Sequence, residues 1–126
     1  VIPRAIFTDP QIAVVGLTED EAIAQGIPCS CHAVELELVP RAQAIRDTRG
    51  VIKMVADADT GRVVGVHLVA PGASELIHEA AMAMHFGARV DDFVDLIHVY
   101  PSMSEVHKLA ALSFTKDVSK LSCCAE

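Results

Sequence analysis

The four cysteines are the residues best suited to chemistry, and they occur as two close pairs. Cys29 and Cys31 are separated by one residue, and Cys123 and Cys124 are adjacent. In a cytosolic protein, paired thiols indicate metal or redox chemistry more than structural disulfides. A bond between adjacent cysteines would also close a small, strained ring and constrain almost no loop. Each pair is therefore a candidate thiolate site for a soft metal ion, because soft ions select thiolates.

The first cysteine pair is followed at once by an imidazole, in the sequence Cys29-Ser30-Cys31-His32. Two thiols and an imidazole this close together could bind a metal ion, and on a strand Cys29 and Cys31 would face the same side. A Cys-x-Cys spacing alone is a weak signature, so buried or incidental cysteines, with only opportunistic binding of a soft ion, are the alternative interpretation. The remaining histidines show no ligand spacing as a set and are interpreted as surface or packed residues: His67, His78, His85, His98 and His107.

Length and composition indicate one soluble domain. The chain has 126 residues, of which 52% are hydrophobic and 21% charged. This is enough apolar material for a core and too little charge for a disordered chain. Aromatic residues make up 4% and there is no Trp, so the core must be built from Val, Ile, Leu, Ala and Met. The formal net charge of −7 and the lack of a basic stripe argue against nucleic-acid binding.

The sequence has no pattern typical of a membrane span or a targeting segment. No apolar stretch approaches the roughly 18–20 residues that cross a bilayer. The start, Val1-Ile2-Pro3-Arg4, leads directly into strand-like sequence rather than a signal peptide. We therefore expect a cytoplasmic protein. Because there is no initiator Met and the first residues look like the middle of a fold, we also expect a piece of a longer polypeptide.

Local patterns in the first half of the chain predict one helix and several strands. Thr18-Glu19-Asp20-Glu21 forms a capping box that should begin a helix ending at Gly26. The strict alternation of Val34–Leu38 predicts a half-buried strand. The apolar runs Val51–Ala56 and Val63–Ala70 flank a turn of about five residues and predict a β-hairpin.

The second half of the chain is predicted to be helical. Pro71-Gly72-Ala73-Ser74 breaks the sheet and opens a helix that Gly87 ends. Asp91–Leu96 is predicted to be a short helix or turn, and Ser102-Met103-Ser104-Glu105 is a second capping box that starts the last helix. The two longer helices should each present one apolar face, formed by Leu76, Ile77, Ala80, Ala81 and Met84 in the first and by Val106, Leu109, Ala110, Phe114 and Val118 in the last.

This order of elements, strands first and helices afterwards, predicts an α+β domain. The expected architecture is a mostly antiparallel sheet with helices packed on one face. We expect residues 1–120 to form this single domain. Residues 121–126, which hold the second cysteine pair, are expected to form a mobile tail.

Three motifs, in order along nearly the whole chain, resemble the dimerisation domain of the flavin disulfide oxidoreductases. Glutathione reductase and dihydrolipoamide dehydrogenase belong to that family. The segment Phe7–Glu19 resembles the start of the domain, and Gly65–Leu68 followed by Ser74–Ile77 resembles its hairpin-to-helix segment. Tyr100-Pro101-Ser102-Met103-Ser104-Glu105 stands where the family carries His-Pro-Thr-x-Ser-Glu. The resemblance implies a FAD/NAD-linked reductase dimerisation fold that forms a homodimer across a two-fold axis.

Tyr100 departs from the family pattern at its most reactive position. In the family, the histidine found there is the acid/base for thiol chemistry near the partner subunit's flavin, and the glutamate orients it. A tyrosine, with an unperturbed pKa of about 10, is a poor general base near pH 7. Glu105 is then interpreted as the cap that pairs with Ser102, and Pro101 as shaping the loop. Tyr100 either offers a phenolic oxygen near a metal or packs at the dimer interface, and we expect a site role for Tyr100 and Pro101 near the partner's flavin.

The replacement of histidine by tyrosine points to the mercuric reductase branch of the family, whose members resemble this chain in carrying a tyrosine there. They also end in Lys-Asp-Val-x-x-Leu-Ser-Cys-Cys, and Lys116–Cys124 matches that ending at every specified position. Pro40-Arg41-Ala42 and Asp47-Thr48-Arg49-Gly50 resemble the same branch. Pro101 is a mixed feature, because mercuric reductases usually place a proline before the tyrosine rather than after it.

The resemblance also implies a reaction for the parent protein. Cys123 and Cys124 would take up Hg(II) and pass it by ligand exchange to a buried cysteine pair in the partner subunit, where NADPH, through FAD, reduces it to Hg(0). The chain contains no Gly-x-Gly-x-x-Gly and no Cys-x4-Cys. The flavin, the nicotinamide site and the buried pair must therefore belong to upstream domains, and this chain alone should be inactive.

Two other functions compete with this interpretation. One is a non-catalytic metal-binding or dimerisation module. The other is the matching domain of a dihydrolipoamide dehydrogenase-like enzyme, against which both Tyr100 and the Cys123-Cys124 ending argue.

Overall fold

The computed structural model describes residues 1–121, in which the helix Glu19–Ala24 and a helix that was not predicted, Pro40–Ala44, lie between strands. The strands are β1 (Arg4–Ile6), β2 (Gln11–Gly16), β3 (Cys29–Glu35), β4 (Val51–Asp57) and β5 (Val63–Ala70). The α-helices are α1 (Glu19–Ala24), α2 (Pro40–Ala44), α3 (Ala73–His85), α4 (Val90–Asp95) and α5 (Glu105–Leu112). Two 3-10 helices cover Leu36–Leu38 and Val118–Lys120.

The five strands form one antiparallel sheet in the order β1-β2-β5-β4-β3. The predicted hairpin is confirmed: β4 and β5 pair directly, with Val51 opposite Val69. In contrast, β2 and β5 are far apart in the sequence but pair with each other, with Gln11 opposite Ala70. At its far end Gly65 lies so close to the Leu17 carbonyl that a Cβ on Gly65 would overlap the oxygen.

The core lies on one face of this sheet. Because side chains alternate between the faces of a strand, one set of residues points inward from the four longer strands: Ala13, Val15, Val34, Ile52, Met54, Val66 and Leu68. Helices α3 and α5 cover this face with Ile77, Ala80, Val106 and Ala110. The predicted α+β architecture, with helices packed on one face of an antiparallel sheet, is confirmed. The start of α1 lies on the opposite face of the sheet, which was not predicted. There Lys53 Nζ donates to the Glu19 carboxylate at 2.7 Å.

Both predicted ends of α1 are confirmed, as is the end of α3. The Glu21 N–H donates to Thr18 Oγ1 at 3.2 Å, and the Thr18 N–H donates to the Glu21 carboxylate at 2.8 Å, which is the reciprocal pattern of a capping box. Gly26 and Gly87 follow α1 and α3 with φ of 75° and 70°. That left-handed conformation is accessible to glycine and strained for most other residues.

The strand predicted for Val34–Leu38 is wrong in its second half. Strand β3 ends at Glu35, and Leu36–Leu38 turn into a 3-10 helix in which the Val39 N–H donates to the Leu36 carbonyl at 3.0 Å. Leu36 is completely buried in the turn. The chain leaves the sheet here although the sequence still alternates. The turn buries the Leu36 side chain and leads into α2 at Pro40, which a longer strand would not allow.

The second predicted capping box is only half present. Helix α5 begins at Glu105, whose carboxylate accepts from the Ser102 N–H at 3.2 Å, but the Ser102 hydroxyl is buried without a hydrogen-bond partner among residues 1–121. The helix also ends at Leu112, so Phe114 and Val118 lie beyond it, although both still pack against the core.

The longest helix of the described region is α3, with 13 residues. Within residues 1–121 no helix combines the length and the apolar composition that a bilayer span requires.

Candidate functional site

A groove beside α5 brings Tyr100 together with the last described residue of the chain. The groove encloses about 390 Å³, and we call it the Tyr100 groove. Its lining includes the polar side chains of Tyr100, Glu105 and Lys108, and it also includes Ser119 and Leu121 from the end of the described chain. The remaining lining is supplied by Leu38, Pro40, Gln43, Leu109, Leu112 and Val118.

The loop that carries Tyr100 is held at two points. Tyr100 itself is 52% exposed and precedes Pro101 through a cis peptide bond. Upstream, Lys108 Nζ of α5 donates to the Leu96 carbonyl at 3.4 Å. Between them His98 turns inward, with its side chain only 5% exposed and its Nε2 2.7 Å from a carboxylate oxygen of Glu79 on α3. The loop is therefore tied to α3 and α5, while Tyr100 remains accessible at the groove.

A second histidine completes a buried polar cluster behind this loop, formed by Glu79, His98 and His107. His107 of α5 is completely buried, and its Nδ1 lies 3.2 Å from the Ser104 carbonyl and 3.5 Å from the Glu79 carboxylate. Both neighbours only accept, so Nδ1 carries the proton. The pKa of His107 is held below its usual value, first by burial, against which the charge of Glu79 acts in the opposite direction.

The sequence analysis did not identify this cluster. Glu79, His98 and His107 are separated by 19 and 9 positions in the sequence, which is not a ligand or helical spacing. The histidines are interpreted above as surface or packed residues, and the side chains of His98 and His107 belong to the packed group. Only the folding of α5 and of the loop before it places these two residues against Glu79 of α3.

At the other end of the groove, a short turn directs the chain towards its last residues. Asp117 accepts hydrogen bonds from the hydroxyl of Ser119 and, at 3.1 Å, from its N–H. These two bonds lower the pKa of the Asp117 carboxyl. The Leu121 N–H donates to the Val118 carbonyl at 3.3 Å. The predicted thiol ligands Cys123 and Cys124, and the predicted mobile tail apart from Leu121, lie outside the described residues.

The groove holds a phenol, a carboxylate and an ammonium group but no thiol of its own. Within residues 1–121 no group of three or more His, Cys, Asp or Glu side chains is arranged to hold a metal ion. A soft ion in the groove would need sulfur ligands, because oxygen donors suit hard ions. The described part of the groove is therefore a lining for such a site rather than a complete ligand set.

The other thiol pair lies away from the Tyr100 groove. Cys29 and Cys31 are both half-buried on β3, and the predicted common side is confirmed by their alternation with His32, whose ring packs against Phe114 at 4.4 Å on the core side. The two thiols therefore project from the opposite face of the sheet. His32 cannot join them as a third ligand, because it points to the core side.

Comparison with known proteins places most of the chain in one family. Residues 2–111 match the family described as pyridine nucleotide-disulphide oxidoreductase, dimerisation domain. Among solved structures, the HOCl-induced flavoprotein disulfide reductase RclA from Escherichia coli is similar, with a TM-score of 0.85 and 32% identity over 91% of this chain. The chain corresponds to 26% of that protein.

Curated relatives are similar over nearly the full length of this chain. A mercuric reductase from Lysinibacillus sphaericus is 46% identical over 125 residues, and one from Bacillus cereus is 48% identical over 125 residues. Each alignment covers 99% of this chain. The chain spans only 23% and 20% of the lengths of these two relatives, so they contain much that this chain does not.

Proposed function

The chain belongs to the pyridine nucleotide-disulphide oxidoreductase dimerisation domain family, and on that basis we propose that it is the C-terminal domain of a mercuric reductase. In this proposal the domain supplies the dimer interface and the cysteines that receive Hg(II). The two mercuric reductases compared above extend far beyond this chain, which supports a multidomain parent. We propose that this parent is cytoplasmic.

The Tyr100 groove is the observation that carries the proposal. Leu121 lines the groove, and Cys123 and Cys124 follow it by two and three residues in the sequence. A thiol pair that follows the groove so closely can present Hg(II) beside the phenol of Tyr100. Binding by both thiols forms two Hg–S bonds and releases two protons, because only the thiolate is a metal ligand.

Transfer of the ion then proceeds by ligand exchange. An incoming thiolate of the partner subunit's buried pair forms a new Hg–S bond while one bond to Cys123 or Cys124 breaks. Repeating the exchange moves the ion completely and leaves the two thiols free for another cycle. Tyr100 lines the path, and Pro101 shapes its loop. The oxygen of Tyr100 is a neutral contact for the passing ion rather than a base.

A homodimer is needed for this transfer, and an exposed apolar surface supports one. We call it the apolar patch: Met82 of α3 and Phe86, which directly follows that helix, together with Leu96, Ile97 and Val99 of the neighbouring loop. Met82 and Leu96 line one shared pocket, so the two segments are contiguous. Exposed apolar patches of this kind mark association surfaces. The patch is also continuous in sequence with Tyr100, so in this proposal the groove lies at the edge of the interface.

FAD and NADPH belong to the upstream domains of the proposed parent. This chain has neither a glycine-rich dinucleotide loop nor a Cys-x4-Cys pair, so its proposed part in the flavin site is limited to Tyr100 and Pro101 near the flavin of the partner subunit. NADPH, through the flavin, would supply the two electrons that convert Hg(II) to Hg(0). The contribution of this chain ends with delivery of the ion, and the isolated chain should not turn over.

The proposal is tested by Hg(II) binding in competition with a small thiol. The reduced chain with Cys29→Ser and Cys31→Ser keeps only Cys123 and Cys124, and we expect it to bind one Hg(II) per chain. The matched variant that also carries Cys123→Ser and Cys124→Ser should bind none. In the full-length parent, Cys123→Ser/Cys124→Ser should slow Hg(II)-dependent NADPH oxidation when Hg(II) is presented as a thiol complex. Unchanged binding and unchanged turnover in these variants would refute the role of the tail.

A further inference from the structure

We propose that Cys29 and Cys31 form a second site, which binds one soft, two-coordinate ion such as Hg(II) between their thiolates. The site lies on the sheet face opposite the core, so it neither includes nor requires Tyr100, Cys123 or Cys124. This proposal does not depend on the transfer function of the tail.

The placement of the two thiols on β3 is the first argument. Cys29 and Cys31 lie opposite Asp57 and Val55 of β4 in the antiparallel register, two positions apart on one strand. A strand rises 3.2–3.4 Å per residue, so their Cβ atoms stand about 6.5 Å apart on the same face. Because β3 has no neighbour on its other side within the sheet, both thiols lie at an edge.

That spacing favours a bridging ion over a disulfide. A disulfide requires Cβ atoms about 3.5–4.5 Å apart, so Cys29 and Cys31 would have to close by about 2 Å on a strand fixed by pairing to β4. An ion with two sulfur ligands on opposite sides holds those sulfurs further apart than a bond does. The pair therefore remains as two free thiols in this structure, and its geometry fits a two-coordinate ion without rearrangement of the strand.

The neighbouring charges are the second argument. Cys29 Sγ lies 4.0 Å from the Glu19 carbonyl oxygen, and Lys53 Nζ contacts the Glu19 carboxylate at 2.7 Å. Lys53 stands opposite Ala33 in the register of β3 with β4, so it lies on the same face of the sheet as the two cysteines. Its ammonium group therefore brings positive charge close to the place where two thiolates would form. Binding of Hg(II) forms two Hg–S bonds, breaks two S–H bonds and releases two protons.

The donor set also predicts which ions are excluded. Zn²⁺ in structural sites takes four ligands, and within residues 1–121 no group of three or more candidate side chains is arranged around a metal. His32 points to the opposite face. A site of two thiolates therefore selects soft ions that accept two ligands, and it should discriminate against Zn²⁺.

The test uses the chain with Cys123→Ser and Cys124→Ser, so that only the proposed site remains. Titration with Hg(II) against a small monothiol should show one ion bound per chain, and Zn²⁺ should not displace it. Adding Cys31→Ser removes one of the two ligands and should weaken binding about 100-fold or more. The ion then loses the second, tethered thiolate, whose high effective concentration strengthens binding by the pair. Ser30→Ala, on the core side of the strand, is the matched control and should leave binding unchanged.

The outcomes separate this site from the proposed function. Loss of all Hg(II) binding in Cys123→Ser/Cys124→Ser, with the chain still folded by circular dichroism, would overturn the second site. Retention of binding after Cys31→Ser would overturn it as well. One ion bound by Cys123→Ser/Cys124→Ser, together with none bound by Cys29→Ser/Cys31→Ser, would support the second site and refute the tail instead.

Discussion

Tyr100 is the residue to which the proposed function assigns a contact with the ion rather than acid/base catalysis. It is half exposed beside a carboxylate and an ammonium group, and it lies in the same groove as Leu121. Its loop is held from behind by the pair of His98 with Glu79. A side chain so positioned is suited to contact an ion as it passes from one thiol pair to another.

We predict that Tyr100→Phe in the full-length parent lowers kcat/KM for Hg(II) about 10-fold or more, the loss typical of removing a supporting contact at a metal site. The ring is retained, so the change removes only the hydroxyl. The rate of Hg(II)-dependent NADPH oxidation measures the effect, and Ser119→Ala at the far end of the groove is the control. A value of kcat/KM within two-fold of the unmodified protein would assign Tyr100 to packing alone.

At the scale of elements, the cluster of Glu79, His98 and His107 joins α3 to α5 and to the Tyr100 loop. His107 is neutral in the fold, with Nδ1 bonded to Ser104 and Nε2 without a partner among residues 1–121. Its ring stacks near Phe93 of α4 at 6.2 Å, and the residue is completely buried, so a charge there would lose its contact with water. The junction of these helices therefore depends on an uncharged imidazole.

This arrangement predicts that the free energy of unfolding falls in mild acid. Because the pKa of His107 is lower in the folded chain than the unfolded value of about 6.5, the unfolded chain binds the proton first. The contribution of neutral His107 to the free energy of unfolding is present above about pH 6.5 and is lost as the pH falls below that value. The loss is up to about 1 kcal/mol between pH 6.5 and 5.5. Urea unfolding at both pH values measures the loss.

Two variants isolate the role of His107. His107→Leu should remove this pH dependence, whereas His78→Gln, on the exposed side of α3, should retain it. If His107→Leu loses stability between pH 6.5 and 5.5 as the unmodified chain does, another group must be responsible.

The elements also show which features could be predicted from the sequence. The capping box at Thr18, the hairpin of β4 and β5 and the glycine after α3 depend on neighbours in the sequence, so local patterns identified them. The turn at Leu36 could not be predicted, because it depends on a core formed by distant strands. The same applies to the candidate site: the motif located Tyr100, but only folding brings Leu121 to its groove.

At the scale of the whole molecule, the apolar patch is the proposed interface of the homodimer. We predict that Ile97→Glu, at a residue 91% exposed, raises the Kd of the homodimer about 30-fold or more, because a buried charge replaces an apolar contact. Sedimentation equilibrium over a range of concentrations measures this constant. Ile23→Glu is the matched control, since Ile23 is 59% exposed on α1 and lies outside the patch. Equal dissociation constants for the two variants would place the interface elsewhere.

The strand order has a consequence for synthesis on the ribosome. Strand β2 is made early, but its partner β5 ends at Ala70, and the cover for β3 and β4 comes from α5, which ends at Leu112. Pairing between such distant segments must wait until both have emerged. Translation that stops before Leu112 therefore releases strands with an uncovered apolar face, a species prone to aggregation and dependent on chaperones. The nascent domain becomes independent of them only when nearly all of it has been made.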